Sequence, residues 1–127
     1  MGMTTRRILI VDDEDRIREV VRVCLVKLAK WDAMTAASGV EAIQTALVEQ
    51  PDAILLDISM PGMDGIETFQ QLQANPQTQA IPVIFLTAKV QPVEQAEYRQ
   101  LGAAGLIVKP FDPVQLAQEI SQLLGWL

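Results

Sequence analysis

Short runs of uninterrupted apolar residues alternate along this chain with longer segments in which apolar positions recur every three or four residues. The runs are Ile8 to Val11, Ala53 to Leu56, Val83 to Leu86 and Leu106 to Val108, with a weaker one over Ala33 to Ala37. Apart from Thr35 in the weaker run, none of them contains a polar residue, so each predicts a strand covered on both faces. Between Asp15 and Lys30 the residues Ile17, Val20, Val21, Cys24, Leu25 and Leu28 fall on a single helical stripe. Cys24 lies on that stripe and reads as a packing residue.

Capping chemistry predicts where the later helices begin. Ser38 with Glu41, and Asp64 with Glu67, have the offset at which a side-chain oxygen and a returning carboxylate satisfy each other's orphan amides. Helices are therefore expected from near Val40 and Gly65. Pro92 after Gln91 and Pro113 after Asp112 stand where a first-turn amide lacks an intrahelical acceptor. The second is expected to open a helix with Leu116, Ala117, Ile120, Leu123 and Leu124 on one face, ending at Gly125. Five rounds of strand then helix result. Such alternation predicts an α/β fold with a mainly parallel sheet and helices on both faces, because right-handed crossovers return each strand in the same direction. The C-terminal ends of all strands then share one rim, and open sheets of this kind bind ligands outside it.

Composition narrows the function classes. A chain of 127 residues without repeats or a Gly/Ser linker is expected to be one domain over 1–127, with 1–5 a disordered or extended tail. With 10 basic and 16 acidic residues the net charge is −6, which repels nucleic-acid phosphates and anionic lipid head groups. No nucleic-acid or membrane partner is expected for this chain by itself. The absence of His and the single Cys24 remove the usual zinc sites, His-based triads and any internal disulfide. The apolar runs are too short to span a bilayer, and Met1 to Arg7 lacks a signal-peptide core. A soluble intracellular domain is the expectation.

The chemistry then lies in the residues just past each strand. Asp12-Asp13-Glu14-Asp15 comes after the first, Asp57 after the third, Thr87 after the fourth and Lys109 after the fifth. Neighbouring strands lie about 5 Å apart, and two carboxylates at that range repel by roughly 3 kcal/mol at an effective dielectric near 20. An ammonium and a divalent cation would offset this repulsion. An oxygen-rich set without sulfur or imidazole suits a hard ion such as Mg²⁺, and Lys109 supplies the ammonium. Glu14 and Asp15 read as solvated charges at a helix N-terminus. Asp57 is different, because it ends an apolar run where an unpaired carboxylate is partly desolvated.

Asp12-Asp13 after Ile8 to Val11, the segment Leu55-Leu56-Asp57-Ile58-Ser59-Met60-Pro61-Gly62-Met63-Asp64-Gly65, the step Leu86-Thr87-Ala88, and Val108-Lys109-Pro110-Phe111 together resemble response-regulator receiver domains. The resemblance covers essentially the whole chain. It implies a flavodoxin-like sheet of order 2-1-3-4-5. It also implies that Asp57 is a phosphoacceptor served by a histidine kinase or a His-phosphotransfer protein. Asp13 and Asp57 would hold Mg²⁺ (or Mn²⁺) directly, Asp12 through water, and the Ser59 backbone carbonyl would complete the protein ligands. Lys109 would pair with a phosphoryl oxygen, and the Thr87 hydroxyl would donate to another once phosphate arrives, which is the switch in physical terms. The Lys109-Pro110 peptide is expected to be cis. Pro61-Gly62 and Asp64-Gly65 supply the turn beside the nucleophile.

Three positions vary from what many relatives carry or set a variable property. Leu106 stands where many relatives have an aromatic residue, so it would transmit the switch less, or through packing alone. Ser59 and Lys89 would flank the phosphoryl group, with Lys89 screening its charge and lengthening its lifetime. The resemblance further implies a regulatory, non-enzymatic role in the cytoplasm. The first helix would meet the kinase, and the fourth helix, fifth strand and fifth helix would present the switched surface to a downstream protein or a fused output domain. Apolar residues near Trp126 and Leu127 suggest contact or a packed terminus. A stand-alone regulator and an excised piece of a longer protein both fit, as do a monomer and a phosphorylation-linked homodimer.

Readings from other classes fit less well. An aspartyl-nucleophile phosphohydrolase calls for Asp-x-Asp after the first strand, which Asp12-Asp13-Glu14 does not supply. A flavodoxin-like cofactor binder needs a phosphate-cradling Ser/Thr/Gly loop where this chain has acids. A receiver-like interaction module that is never phosphorylated is the closer rival, against which stands the presence of all five site residues.

Overall fold

The computed structural model describes residues 5–88 and 91–126. Ten elements succeed one another: β1 (Arg7–Val11), α1 (Asp15–Ala29), β2 (Asp32–Ala36), α2 (Gly39–Glu49), β3 (Ala53–Asp57), α3 (Gly65–Ala74), β4 (Val83–Thr87), α4 (Pro92–Gln100), β5 (Gly105–Val108) and α5 (Leu116–Leu124). The strands pair in parallel in the order β2-β1-β3-β4-β5. Both the alternation and the expected order are therefore present.

Successive strand residues point to opposite faces, and this divides the core in two. Ile8, Ile10, Leu55, Ile84 and Leu86 face one side, where Val21 and Leu25 of α1 and Leu116 and Ile120 of α5 cover them. Leu9, Val11, Ile54, Leu56, Val83 and Phe85 face the other, against Ala42 and Ala46 of α2 and Phe69 and Leu72 of α3. Burial on both faces explains why the runs of β1, β3 and β4 show no polar alternation. β2 departs from the expectation, because it stands at the sheet edge with Asp32 and Thr35 exposed and only Ala36 buried.

Several local expectations need correction. The stripe on α1 is wider than the surface that covers it: Val21 and Leu25 are buried, but Val20 is 42 % and Leu28 59 % exposed, and Cys24 is half-buried. Ser38 does accept the Glu41 amide, yet the Glu41 carboxylate reaches the amide of Ala37 and not that of Ser38, so this cap is offset by one residue. Pro113 does not open a helix. Asp112 holds it in a turn by accepting the Val114 amide at 2.9 Å, and α5 begins at Leu116. Leu123 is exposed at the edge of the expected face of α5.

Trp126 is half-buried and packed, its ring meeting Trp31 edge-on at 5.5 Å with the Arg6 guanidinium 4.3 Å from its centroid. The expected tail over 1–5 lies outside the described residues except for Thr5, which is exposed, and Leu127 lies outside them as well. Among the described residues, no helix is long and apolar enough to cross a membrane.

Candidate functional site

The parallel sheet brings residues far apart in sequence to one rim. Asp12 leaves β1 with its amide still bonded to the Ala36 carbonyl of β2, which extends the ladder by a residue and holds the side chain at 0 % exposure. Its Oδ1 accepts the Glu14 amide at 2.9 Å and its carbonyl accepts Arg18 Nη1 at 2.6 Å. Arg18 also pairs with Asp15 one turn back, so the β1–α1 turn is braced from the helix. Apolar periodicity and strand-end chemistry did not single out Arg18; its offset of three from Asp15 was the one sequence signal for it. Glu14 and Asp15 are exposed, as expected of solvated charges.

Asp57 is the last residue of β3, aligned with Leu86 of β4 and only 3 % exposed. The chain turns sharply after it. Gly62 adopts a left-handed φ of 73°, and the Gly65 amide donates to the Ile58 carbonyl at 2.9 Å, folding the start of α3 under the end of β3. A Cβ at Gly65 would lie 2.6 Å from Ile58 Cα and would also strike the Asp57 carbonyl oxygen, so only glycine permits this approach. The capping box is complete here: Glu67 donates its amide to Asp64 Oδ1 at 2.9 Å, and Asp64 donates its own to Glu67 Oε1 at 3.1 Å.

Asp12, Asp13 and Asp57 each offer a carboxylate oxygen, and these oxygens lie within 4.8 Å of one another. Asp13 is the exposed member. Lys109 Nζ, just past β5, stands 2.9 Å from Asp12 Oδ2 and 3.3 Å from Asp57 Oδ2. Its amide donates to the Thr87 carbonyl at 2.7 Å, and the Lys109-Pro110 peptide is cis, as expected. Ser59 reaches the cluster through its backbone, the amide donating to Asp57 Oδ1 at 3.2 Å. Thr87, 1 % exposed, lies one register step past the level of Asp57 on the adjoining strand. The structure thus gathers Asp12, Asp13, Asp57 and Lys109 directly, with Ser59 and Thr87 beside them. Lys89 lies outside the described residues.

Electrostatics mark Asp57 within this set. Burial pushes its carboxyl up to about 6, the Asp12 carboxylate adds to the rise, and Lys109 and the Ser59 amide pull the other way. For Lys109, burial opposes the charge, but the hydrogen bond to Asp12 and the fields of Asp57 and Asp12 prevail and raise its pKa. A single ammonium facing three carboxylates leaves negative charge in excess, and every side-chain donor in the cluster is oxygen. That chemistry fits a hard divalent cation.

Comparison with known proteins places these residues in a frame. A family model described as the response regulator receiver domain matches residues 8–121. The Transcriptional regulatory protein SrrA of Staphylococcus aureus is 38 % identical over 120 residues, which are 94 % of this chain and 48 % of that protein. The chain therefore spans about half the length of the curated relatives it matches. The chemotaxis response regulator CheY4 of Vibrio cholerae superposes with a TM-score of 0.87 at 33 % identity, over 94 % of this chain and 99 % of that one. A putative response regulator from Chloroflexus aurantiacus gives 0.86 at 31 % identity, over 96 % and 99 %. With the match running from β1 into α5, and relatives sharing about a third of their residues, this chain belongs to the response regulator receiver domain family of two-component signalling.

Proposed function

We propose that this chain is a phosphorylation-activated switch of a two-component or phosphorelay system, with Asp57 as the phosphoacceptor. The observation that carries this reading is the meeting of three carboxylates and one ammonium at a single rim, with two of the carboxylates, Asp12 and Asp57, buried. An Asp57 carboxylate oxygen attacks the phosphorus of a phosphohistidine. The new oxygen–phosphorus bond forms as the phosphorus–nitrogen bond breaks, and the departing imidazole keeps the electron pair and takes up a proton. Such transfers depend on positioning and on stabilising charge at the equatorial oxygens. Lys109 serves that charge from one side. Asp13, Asp57 and the Ser59 carbonyl would hold Mg²⁺, or Mn²⁺ in its place, with Asp12 acting through water. The ion, when bound, supplies Lewis-acid stabilisation of the phosphoryl oxygens. The Thr87 hydroxyl donates to the attached phosphoryl group and draws the end of β4 inward.

The proposed donor is a histidine kinase or His-phosphotransfer protein. An apolar cavity of about 390 Å³ beside Lys109, lined by Ile17, Val20, Val21, Pro110 and Phe111, supports an approach over α1 and accounts for the exposure of Val20. The readout passes to a downstream protein or a fused output domain.

Incubation with acetyl phosphate, with and without Mg²⁺, followed by intact mass spectrometry tests the reading. Wild type gains one phosphoryl group only with the metal, and Asp57→Asn gains none. A wild type that takes up no phosphoryl group would instead be a receiver-like interaction module.

A further inference from the structure

Helix α4 is held differently from the other four. α1, α2, α3 and α5 each bury at least two residues, whereas α4 buries none. Within α4 only Glu94, Gln95 and Tyr98 are part-buried, and Tyr98 is the one aromatic or aliphatic side chain among them. Val93, the other large apolar residue, is 71 % exposed. The Tyr98 ring meets Phe85 of β4 edge-on, with centroids 6.1 Å apart and planes at 69°. Phe85 in turn meets Phe69 of α3 edge-on at 5.2 Å and 71°. Three rings thus join α3, β4 and α4 in a row. Phe85 is fully buried and lies beside Leu106 in the β4–β5 register. Thr87 comes two residues later, on the same face of the strand.

We propose that Tyr98 is a positioning residue that sets where α4 lies according to the state of the Thr87 end of β4. A close-packed interior passes on a displacement instead of absorbing it, and Phe85 is enclosed between two rings. Phe69 is anchored in a helix with several buried residues, so a shift of Phe85 is relieved toward Tyr98. α4 has no other part-buried apolar side chain to resist. A shallow cavity of about 520 Å³, lined by Ile66, Glu97, Tyr98, Gln100 and Leu101, leaves room for the helix to move. Edge-to-face pairs depend on ring geometry beyond the area they bury, which lets one contact discriminate between two strand positions. The inference rests on Asp57 as the site where the switch is loaded.

The test loads wild type, Tyr98→Phe, Tyr98→Leu and Tyr98→Ala with beryllofluoride and Mg²⁺. Fluorine NMR measures uptake, and amide hydrogen exchange measures Glu94 to Gln100 in loaded and unloaded protein. In wild type and Tyr98→Phe, loading changes exchange of α4 by about two- to tenfold, the range one aromatic edge contact commands. Tyr98→Leu and Tyr98→Ala take up beryllofluoride equally, but their loaded and unloaded rates coincide. A purely structural role would shift both states together and leave the ratio as in wild type. Retention of the wild-type ratio in Tyr98→Leu overturns the proposal, and so does a loaded wild type with unchanged α4. Absence of a bound fluorine signal in wild type is a separate result, which removes the phosphoacceptor reading and this inference with it.

Discussion

The helices that follow β3 and β4 are held in two different ways, although each strand ends in a candidate site residue. After Asp57 the path is tightly specified: a left-handed Gly62, a Gly65 pressed onto the strand backbone, a complete capping box and a helix with Thr68, Phe69 and Leu72 buried. The helix after Thr87, α4, is held more loosely. The N-cap Gln91 of α4 makes no side-chain capping bond, and no residue of the helix is buried. On the proposed reading of Asp57 as nucleophile and α4 as reporter, the contrast separates two tasks on one rim. A nucleophile works only if its geometry is held, while a reporter works only if a small push moves it.

The largest test of this contrast compares the aromatic anchors of the two helices. Phe69→Ala is expected to lower unfolding stability by about 3–5 kcal/mol, as for a fully buried ring. Tyr98→Ala, on the half-buried side, is expected to lose only about 1 kcal/mol. Urea titrations of both variants check this, and equal losses would erase the distinction.

The firm side also carries an electrostatic load. Burial raises the Asp57 carboxyl from 3.8 to about 6, so the folded chain binds that proton more tightly than the unfolded chain. The stability it contributes is complete below the lower value and is lost as pH rises through the higher one. Asp57→Asn removes the load. In EDTA at pH 7 the variant is therefore expected to be more stable than wild type, by up to about 3 kcal/mol. The gap closes below pH 3.8 and narrows when Mg²⁺ is added. Thermal melts across this pH range decide it, and a gap independent of pH would remove the load.

The smallest effect concerns the caps. Asp64→Ala removes the side-chain acceptor of the Glu67 amide and should cost about 1 kcal/mol, while Gln91→Ala should change stability by only a few tenths. Chemical denaturation resolves the two.

Much of the frame was legible without coordinates. Each strand bound falls within one residue of its apolar run, and in β1, β3 and β4 burial on both faces leaves no polar position inside the strand. The Asp64–Glu67 cap was equally readable, since its partners are local. The offset cap at Ala37 and the turn at Pro113 were not. At the first, the Ala37 amide took the Glu41 oxygen that spacing assigned to the Ser38 amide; at the second, Asp112 accepted the Val114 amide and held Pro113 in a turn before the helix. The exposure of Val20 and Leu28 escaped periodicity, which counts apolar positions on a helix without knowing how much surface will cover them.

The site divides along the same line. That Asp12, Asp13, Asp57, Thr87 and Lys109 each stand at the end of a strand is a property of the chain alone, and parallel strands must bring such residues to one rim. Resemblance to a family supplied the strand order, which alternation alone does not specify. Tertiary structure alone decided that Lys109 sits between Asp12 and Asp57, that Arg18 braces the Asp12 carbonyl, and that Tyr98 reaches Phe85. Periodicity and capping act over a few residues and are written in local order. Ion pairs and ring contacts between distant segments exist only once the sheet has fixed which strands are neighbours.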